Sequence, residues 1–231
     1  MIIAIHQPNY MPWLGYFHKI AIADAFVFLD NVQYSKNGYI NRVKVFGPSG
    51  PKWLTVPVTY DYGNLISQVQ PASPDWQSSH LDILFNYYRS APWFSTVWPQ
   101  LTDLYQKVPH TDLASINRAL IEGFANALGL CCRFMVSSSI PTRELRSDDR
   151  IVSLVASIDS EGTYLSGSGG AVYQDHAKFG NAGLQLQYTE FEHPRYDQGR
   201  AQFTEGLSIL DALFYLGWSG TAALFCEDPI P

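Results

Sequence analysis

A dense polar cluster follows the first apolar run of the chain, residues 1–5, and its members are His6, Gln7, Asn9 and Tyr10. Histidine can accept or donate a proton near neutral pH, because its ordinary pKa is closest to neutrality. The amides and the phenol offer donors and acceptors to a substrate. We therefore predict that His6 is catalytic and that its neighbours bind substrate. The alternative, in which His6 only caps a backbone group, has less support from so polar a cluster.

A carboxylate at the end of the second apolar run offers a partner for this histidine. Parallel neighbouring strands end at the same edge of a sheet, so Asp30 is expected near His6. A carboxylate beside an imidazole orients the ring and raises its pKa. We predict a catalytic role for Asp30 and substrate binding by Gln33. An Asx-type turn at the strand end explains Asp30 equally well.

A basic pair lies on the first strand of a predicted hairpin. Alternation places Arg42 and Lys44 on one face of that strand and Asn41 on the other. Arginine and lysine on one face form a minimal anion site, so we predict that all three residues bind substrate. Lys52 adds a third charge if the hairpin register allows it. A solvated strand face is the better supported alternative.

A glycine-rich segment follows a later predicted strand, and its sequence is Ser166-Gly167-Ser168-Gly169-Gly170. Backbone N–H groups of such a segment can hold a phosphate or a carboxylate. This predicts substrate binding by Ser166, Gly167, Ser168, Gly170 and the nearby Tyr173. An ordinary tight loop is an equally good explanation. Asp211, on the last predicted helix, either pairs with a cation or joins the substrate site.

Strands and helices must alternate along the chain to position these groups. Apolar runs and helical spacing predict a strand–helix–strand unit at the N-terminus, a hairpin, a helical middle and a second set of strands and helices. The predicted strands are 2–6, 25–30, 39–46, 52–58, 133–137, 163–165 and 184–188. The predicted helices are 13–23, several within 76–128 broken at Pro92, Pro99 and Pro109, 148–160, and 207–216 capped by Gly217.

These patterns favour an α/β fold with a Rossmann-like, mostly parallel sheet flanked by helices, a β-hairpin and a helical middle insertion at about 74–130. One domain is expected over residues 1–231. Free, buried cysteines are expected at Cys131, Cys132 and Cys226, because free thiols are usually buried. No metal-ligand spacing occurs in the sequence.

Charge and hydropathy exclude several classes of partner. The formal net charge is -6, so there is no basic field for sequence-nonspecific binding of nucleic acid or for adsorption to anionic lipid. No apolar stretch reaches the roughly 20 residues of a membrane-spanning helix, and no signal peptide is evident. We expect a cytoplasmic protein without a membrane partner.

Several of these segments together resemble the WbqC-like family, from residue 1 to about 217. The segments are His6–Tyr10 with Pro12–Phe17, Asp30 with Gln33, Asn41-Arg42, Trp53-Leu54 with Val56–Val58, Tyr164–Gly167 with Tyr173, and Leu207–Ile209 with Asp211. The family is associated with bacterial surface-polysaccharide gene clusters. Glycyl transfer onto an amino sugar has been suggested for some of its members.

The resemblance implies an acyl or aminoacyl transferase that forms an amide on a small amine, such as a nucleotide-linked amino sugar. Its setting would be surface-polysaccharide (O-antigen) or secondary-metabolite biosynthesis. Aminoacyl-tRNA, a carrier protein or an ATP-activated amino acid are the possible donors, and no cofactor is evident. An ATP-dependent amide ligase is the close alternative. A non-catalytic module that binds a sugar or nucleotide is favoured by the aromatic residues Trp13, Tyr16, Tyr39 and Trp53.

Overall fold

Nine strands and seven helices form the part of the chain that the structure, a computed structural model, describes: residues 1–142 and 145–226. The strands are β1 (Ile2–His6), β2 (Ala25–Phe28), β3 (Arg42–Gly47), β4 (Gly50–Thr55), β5 (Val58–Thr59), β6 (Gln70–Pro71), β7 (Arg133–Val136), β8 (Thr163–Ser166) and β9 (Gln185–Tyr188). The helices are α1 (Leu14–Ile22), α2 (Trp76–Tyr88), α3 (Phe94–Lys107), α4 (Leu113–Ala127), α5 (Ser147–Ile158), α6 (His176–Asn181) and α7 (Ile209–Ala223).

Five parallel strands form the central sheet in the order β7-β2-β1-β8-β9, so the predicted α/β class is confirmed. The chain builds outward from β1 through β2 to β7. It then crosses back to β8, on the other side of β1, and continues outward to β9. The direction of winding therefore reverses between β1 and β8. In such sheets a crevice opens at this topological switch point, beyond the carboxyl ends of the strands.

Both faces of the sheet are covered, which explains the continuous apolar runs of its strands. Ala4 and Phe26 face a large core shared with α1, the three middle helices and α7. Ile3 and Val27 face the opposite, smaller core, where α5 contributes Leu154 and Val155. Because side chains alternate along a strand, His6 lies on the same face of β1 as Ala4, toward α1.

The helical middle has the predicted helices, with one difference at Pro99. The predicted break there is wrong, because α3 continues through Pro99. A proline removes one backbone hydrogen bond from a helix, at a cost of about 3 kcal/mol. Packing offsets that cost, since Val97 and Leu101 on either side of the proline are fully buried.

Other differences from the sequence expectations are local. Two elements were not predicted: the short helix α6 and the two-residue ladder of β5 with β6. The last helix α7 extends beyond Gly217, where the backbone has a positive φ of 70°. Cys131 and Cys226 are free but exposed, so the expectation of buried thiols is wrong at both positions. None of the helices in residues 1–142 and 145–226 has the length and apolar character needed to cross a bilayer.

Candidate functional site

A cavity of about 390 Å³ opens at the topological switch point. The end of β1, the loop after β2, the first turn of α5 and the segment after β8 form its walls. We call it the switch-point cavity. Its lining residues are Ile5, His6, Gln7, Leu29, Val32, Ser147, Asp148, Arg150, Ile151, Tyr164, Tyr173 and Gln174.

The imidazole of His6 has a defined tautomer. Its Nδ1 lies 2.9 Å from the backbone carbonyl oxygen of Gln7, and a carbonyl only accepts, so Nδ1 carries the proton. Nε2 therefore presents a lone pair and has no hydrogen-bond partner among the described residues. Burial, and to a smaller extent the nearby charge of Lys19, lower the pKa of His6 from 6.5 to about 4. The ring packs edge-on against Tyr16, with the ring centroids 4.8 Å apart.

The first turn of α5 places a carboxylate in the cavity. Asp148 is buried, and its Oδ2 accepts the backbone N–H of Asp175 at 2.9 Å, while Oδ1 has no partner in the described part of the chain. Ser147 has a positive φ of 50°, a conformation that non-glycine residues rarely adopt. Backbone strain of this kind is concentrated at functional sites. Asp148 is thus held on a rigid turn with one oxygen open to a ligand.

Two side chains that line the cavity each have a buried polar atom without a partner. Arg150 donates from Nη2 to the carbonyl of Asn31 at 3.1 Å and to the Asn31 side chain. Its Nε is buried without a partner, and so is the Oε1 atom of Gln174. Buried polar atoms are normally hydrogen-bonded, so unpartnered atoms that line one cavity point to a polar ligand.

None of the residues of the glycine-rich segment, 166–170, lines the switch-point cavity. Ser166 is buried at the end of β8, and residues 168–172 form a short 3₁₀ helix. A Cβ atom at Gly170 would lie 2.4 Å from Oγ of Ser166, so close packing explains this glycine. Tyr173 lies at the rim of the cavity and is 73% exposed.

The sequence of the chain is similar to those of a known protein family. The model of the WbqC-like protein family matches residues 7–223. The chain belongs to this family. The WbqC-like chain is also 30% identical over 218 residues to the uncharacterized protein Rv1507c of Mycobacterium tuberculosis, across 93% of this chain and 94% of that protein. No solved structure matches it.

Three of the predicted site residues of this WbqC-like protein line the switch-point cavity: His6, Gln7 and Tyr173. Among the lining residues that were not predicted as site residues, four carry a charged, phenolic or amide group: Asp148, Arg150, Tyr164 and Gln174. The acidic first turn of the predicted helix 148–160 was a signal for Asp148. Lys19 was also missed, and it lies 95% buried on α1, where burial lowers its pKa to about 8.

Asp30 does not hold His6, as the hypothesis of a catalytic pair requires. Its Oδ1 accepts the hydroxyl of Ser137 at 2.8 Å and the backbone N–H of Ser138 at 3.0 Å. Strand β2 ends at Phe28, and Leu29 still donates its N–H to the carbonyl of His6 at 2.8 Å. The side chain of Asp30 is bound instead by residues that follow β7. The ring nitrogen of His6 bonds a backbone carbonyl instead of a carboxylate.

Asn9 and Tyr10 lie in the interior of the WbqC-like fold. Tyr10 is fully buried, and its hydroxyl bonds Nδ1 of His80 at 2.8 Å and the hydroxyl of Tyr105 at 2.6 Å. His80 completes the chain by donating from Nε2 to the carbonyl of Thr55 at 3.0 Å. The predicted substrate contact of Tyr10 therefore does not fit its position, because its polar group is used inside the core.

The basic pair of the hairpin lies over an aromatic ring. Arg42 Cζ is 4.1 Å and Lys44 Nζ 5.4 Å from the centroid of Trp53. Lys52 pairs with Val45 in the ladder, so it lies on the opposite face and does not join them. Asn41 donates to the carbonyl of Val56 at 3.0 Å. None of these residues lines the switch-point cavity.

The remaining predicted residues also lie elsewhere. Asp211 is fully buried and accepts Arg200 Nη2 at 2.9 Å and the hydroxyl of Tyr196 at 2.9 Å. Of the two hypotheses for Asp211, the structure therefore favours pairing with a cation. Gln33 is exposed and forms an isolated bridge with Leu65.

Proposed function

We propose that this WbqC-like protein is an amide-forming transferase, which moves an acyl or aminoacyl group onto the amine of a small substrate. A nucleotide-linked amino sugar in surface-polysaccharide or secondary-metabolite biosynthesis is the substrate class that the family resemblance suggests. The observation that carries the proposal is the free Nε2 lone pair of His6 in a cavity at the switch point of the sheet. Catalytic bases need such an open acceptor within reach of a bound substrate.

The charges of the cavity fit a substrate that carries both signs. Asp148, with its open Oδ1, would hold the amine in its ammonium form. Arg150, with its unpartnered Nε, would hold a carboxylate or a phosphate of the donor. Tyr173 at the rim would pack against a sugar or a base.

The proposed reaction forms one C–N bond and breaks one bond between the acyl carbon and its carrier. The ammonium ion first loses a proton to water. The resulting neutral amine nitrogen attacks the carbonyl carbon and becomes positively charged in the tetrahedral adduct. Nε2 of His6 accepts a proton from this nitrogen and returns it to the departing group. The donor is an activated acyl group, carried by aminoacyl-tRNA, a carrier protein or a phosphate.

The low pKa of His6 fits this step better than removal of a proton from a free ammonium ion. A base with a pKa of about 4 is neutral at cellular pH, so its lone pair is always available. Such a weak base requires a strongly acidic proton, and the charged nitrogen of the adduct supplies one. A bound anionic donor would also raise the pKa of the imidazole toward the operating range.

The test is amide formation from amino sugars with a panel of activated donors, followed by mass spectrometry of the products. His6→Ala should reduce the rate about 100-fold or more, which is the usual contribution of a general base. His176→Ala is the matched control, because His176 is exposed and bonds Tyr188 at 3.1 Å outside the cavity. Equal rates for wild type and His6→Ala would remove the proposed role, and so would the absence of any amide product.

An ATP-dependent amide ligase is the second candidate, and the strand order favours it. Nucleotides commonly bind at the switch point of sheets with this winding. In that case wild-type protein with a free amino acid, ATP and an amino sugar forms the amide and releases AMP or ADP in equal amount. Amide formation from a preactivated donor without ATP would favour the transferase.

A non-catalytic module that binds a sugar or nucleotide is a third candidate, supported by one surface feature. Trp13, Tyr39 and Trp53 form a continuous aromatic group, with ring centroids 5.3 and 5.6 Å apart, and Tyr39 and Trp53 are partly exposed. Aromatic faces of this kind stack on sugars. Tight sugar binding that Trp53→Ala removes, with no turnover of any donor, would favour the module.

A further inference from the structure

A second cavity, of about 270 Å³, lies at the carboxyl ends of β2 and β7. The loop of residues 29–32 separates it from the switch-point cavity, because Leu29 and Val32 line the first cavity while Asp30 lines the second. We call the second one the Asp30 cavity. Its lining residues are Phe28, Asp30, Ser67, Asp112, Ala114, Ser115, Arg118, Val136, Ser138 and Ser139.

Asp30 has one satisfied and one open oxygen. The side chain is only 5% exposed, yet both of its hydrogen bonds, from Ser137 and from the N–H of Ser138, go to Oδ1. Oδ2 has no partner among residues 1–142 and 145–226. A carboxylate has room for several donors, and buried carboxylates normally use both oxygens. The open oxygen lines a cavity, so a donor from a ligand can reach it there.

The charged residues that line the Asp30 cavity determine which ligand charge it favours. Asp30 and Asp112 are both carboxylates, and Arg118 is the cation among the residues that line the cavity. Arg118 is already paired with Glu122, with Nε and Oε1 3.1 Å apart. Asp112 caps α4 by accepting from Ser115, which leaves its charge in place. The cavity therefore carries an excess of negative charge that favours a cationic ligand.

Hydroxyl groups form most of the remaining polar lining. Ser67, Ser138 and Ser139 each offer a hydroxyl that both donates and accepts. Ser115 donates its hydroxyl proton to Asp112 and can only accept from a ligand. Several hydroxyl groups in the lining suit a ligand that is itself hydroxylated. The volume is at the small end of the range for ligand cavities, so a single sugar ring suits it better than a nucleotide.

We propose that the Asp30 cavity binds a small hydroxylated amine, with a hexosamine in its protonated form as the representative ligand. The ammonium group donates to Oδ2 of Asp30, and the serine hydroxyls contact the hydroxyls of the ring. This site goes beyond the proposed function, since it lies across the 29–32 loop from His6. Its occupation does not require any reaction in the switch-point cavity.

Isothermal titration of the full chain with glucosamine and with N-acetylglucosamine tests the proposal. The second sugar keeps the hydroxyl groups but lacks the ammonium charge. Wild-type protein should bind glucosamine at least about tenfold more tightly, because a charge-assisted hydrogen bond is worth that much. Asp30→Asn should abolish this preference. Asparagine keeps Oδ1 as an acceptor for Ser137 and Ser138 but replaces Oδ2 with a donor.

Two further variants keep the test decisive if Asp30→Asn does not fold. Ser139→Trp fills the rim from an exposed position and should weaken glucosamine binding about tenfold or more. Ser160→Trp is its control, since Ser160 is exposed outside the cavity. His6→Ala should bind glucosamine like wild type, which separates this site from the proposed reaction.

Three results would overturn the proposal. The first is wild-type protein that binds no glucosamine up to about 10 mM. The second is glucosamine binding that a folded Asp30→Asn variant and Ser139→Trp both retain. The third is binding that His6→Ala removes while Asp30→Asn retains it, because the sugar would then occupy the switch-point cavity.

Discussion

Asp30 and Ser137 are joined by a hydrogen bond of 2.8 Å across 107 positions of sequence. The bond ties the end of β2 to the end of β7, and it directs the carboxylate away from β1. His6 has a backbone carbonyl as its hydrogen-bond partner, and burial is the main cause of its low pKa of about 4. The carboxylate that could have raised this pKa is thus bound by residues that follow β7.

We expect the free energy of unfolding to fall as the pH is lowered from about 6.5 to about 4. His6 and His80 each have a pKa of about 4 in the fold, against 6.5 for an ordinary histidine. The unfolded chain therefore binds more protons than the folded chain between these pH values. Lowering the pH through this window decreases the free energy of unfolding by at most about 3 kcal/mol for each histidine. Urea titrations at several pH values measure the slope. His6→Gln should keep only the part due to His80, and a flat profile for wild type would contradict the expectation.

Removing the charge of Lys19 should raise the pKa of His6. Lys19 is one of the two causes that lower this pKa, the larger one being burial. In Lys19→Met the imidazole should therefore titrate above a pKa of 4, while staying below 6.5 because burial is unchanged. NMR titration of the ring nitrogens measures it. Lys52→Met is the control, since Lys52 is exposed on the hairpin, and an unchanged His6 titration in Lys19→Met would refute the coupling.

The buried pair of Asp211 and Arg200 should be essential for stability. Asp211 is fully buried and Arg200 lies over the ring of Phe46, with Cζ 3.7 Å from its centroid. Asp211→Asn leaves the guanidinium without its counter-charge, so we expect a loss of about 3–5 kcal/mol in urea unfolding.

Asp103→Asn provides the comparison for this pair. It removes the exposed ion pair with Lys107 and should cost less than about 1 kcal/mol. Similar losses for Asp211→Asn and Asp103→Asn would mean that the buried pair adds little.

Two glycines of the segment after β8 should differ in their tolerance of alanine. A Cβ at Gly170 would meet Oγ of Ser166 at 2.4 Å and Oε1 of Gln174 at 2.6 Å, whereas a Cβ at Gly167 would meet no atom within 4 Å. Gly170→Ala should therefore displace Gln174 from the switch-point cavity and cost about 1–3 kcal/mol. Gly167→Ala should be close to neutral. Thermal unfolding of both variants measures the difference, and equal melting temperatures would show that the loop adapts.

The parts of the fold that follow from local sequence were predictable. Apolar runs and helical spacing predict β1, α1 and β2 within a few residues, and they place His6 at the carboxyl edge of the sheet. Pro99 is an exception, since burial of its neighbours outweighs the local preference of proline.

The partners within the site depend on long-range topology and could not be predicted. Arg150 meets Asn31 across 119 positions, because the strand order brings α5 against the loop after β2. Asp30 was expected beside His6 on the assumption that strand ends converge, but its side chain is bound by the residues that follow β7. Gln174 and Lys19 gave no signal, since single polar residues on helices and loops are usually solvated.

The carbonyl oxygen of Gln7 accepts two hydrogen bonds, one from Nδ1 of His6 and one from the hydroxyl of Tyr16 at 3.0 Å. This acceptor is part of the main chain, so no replacement of the residue at position 7 removes it. The side of the imidazole that carries the lone pair is therefore a property of the backbone path after β1. Substitutions of the surrounding side chains can therefore change which ligand the cavity binds, while the main chain keeps the lone pair of His6 on the same side of the ring.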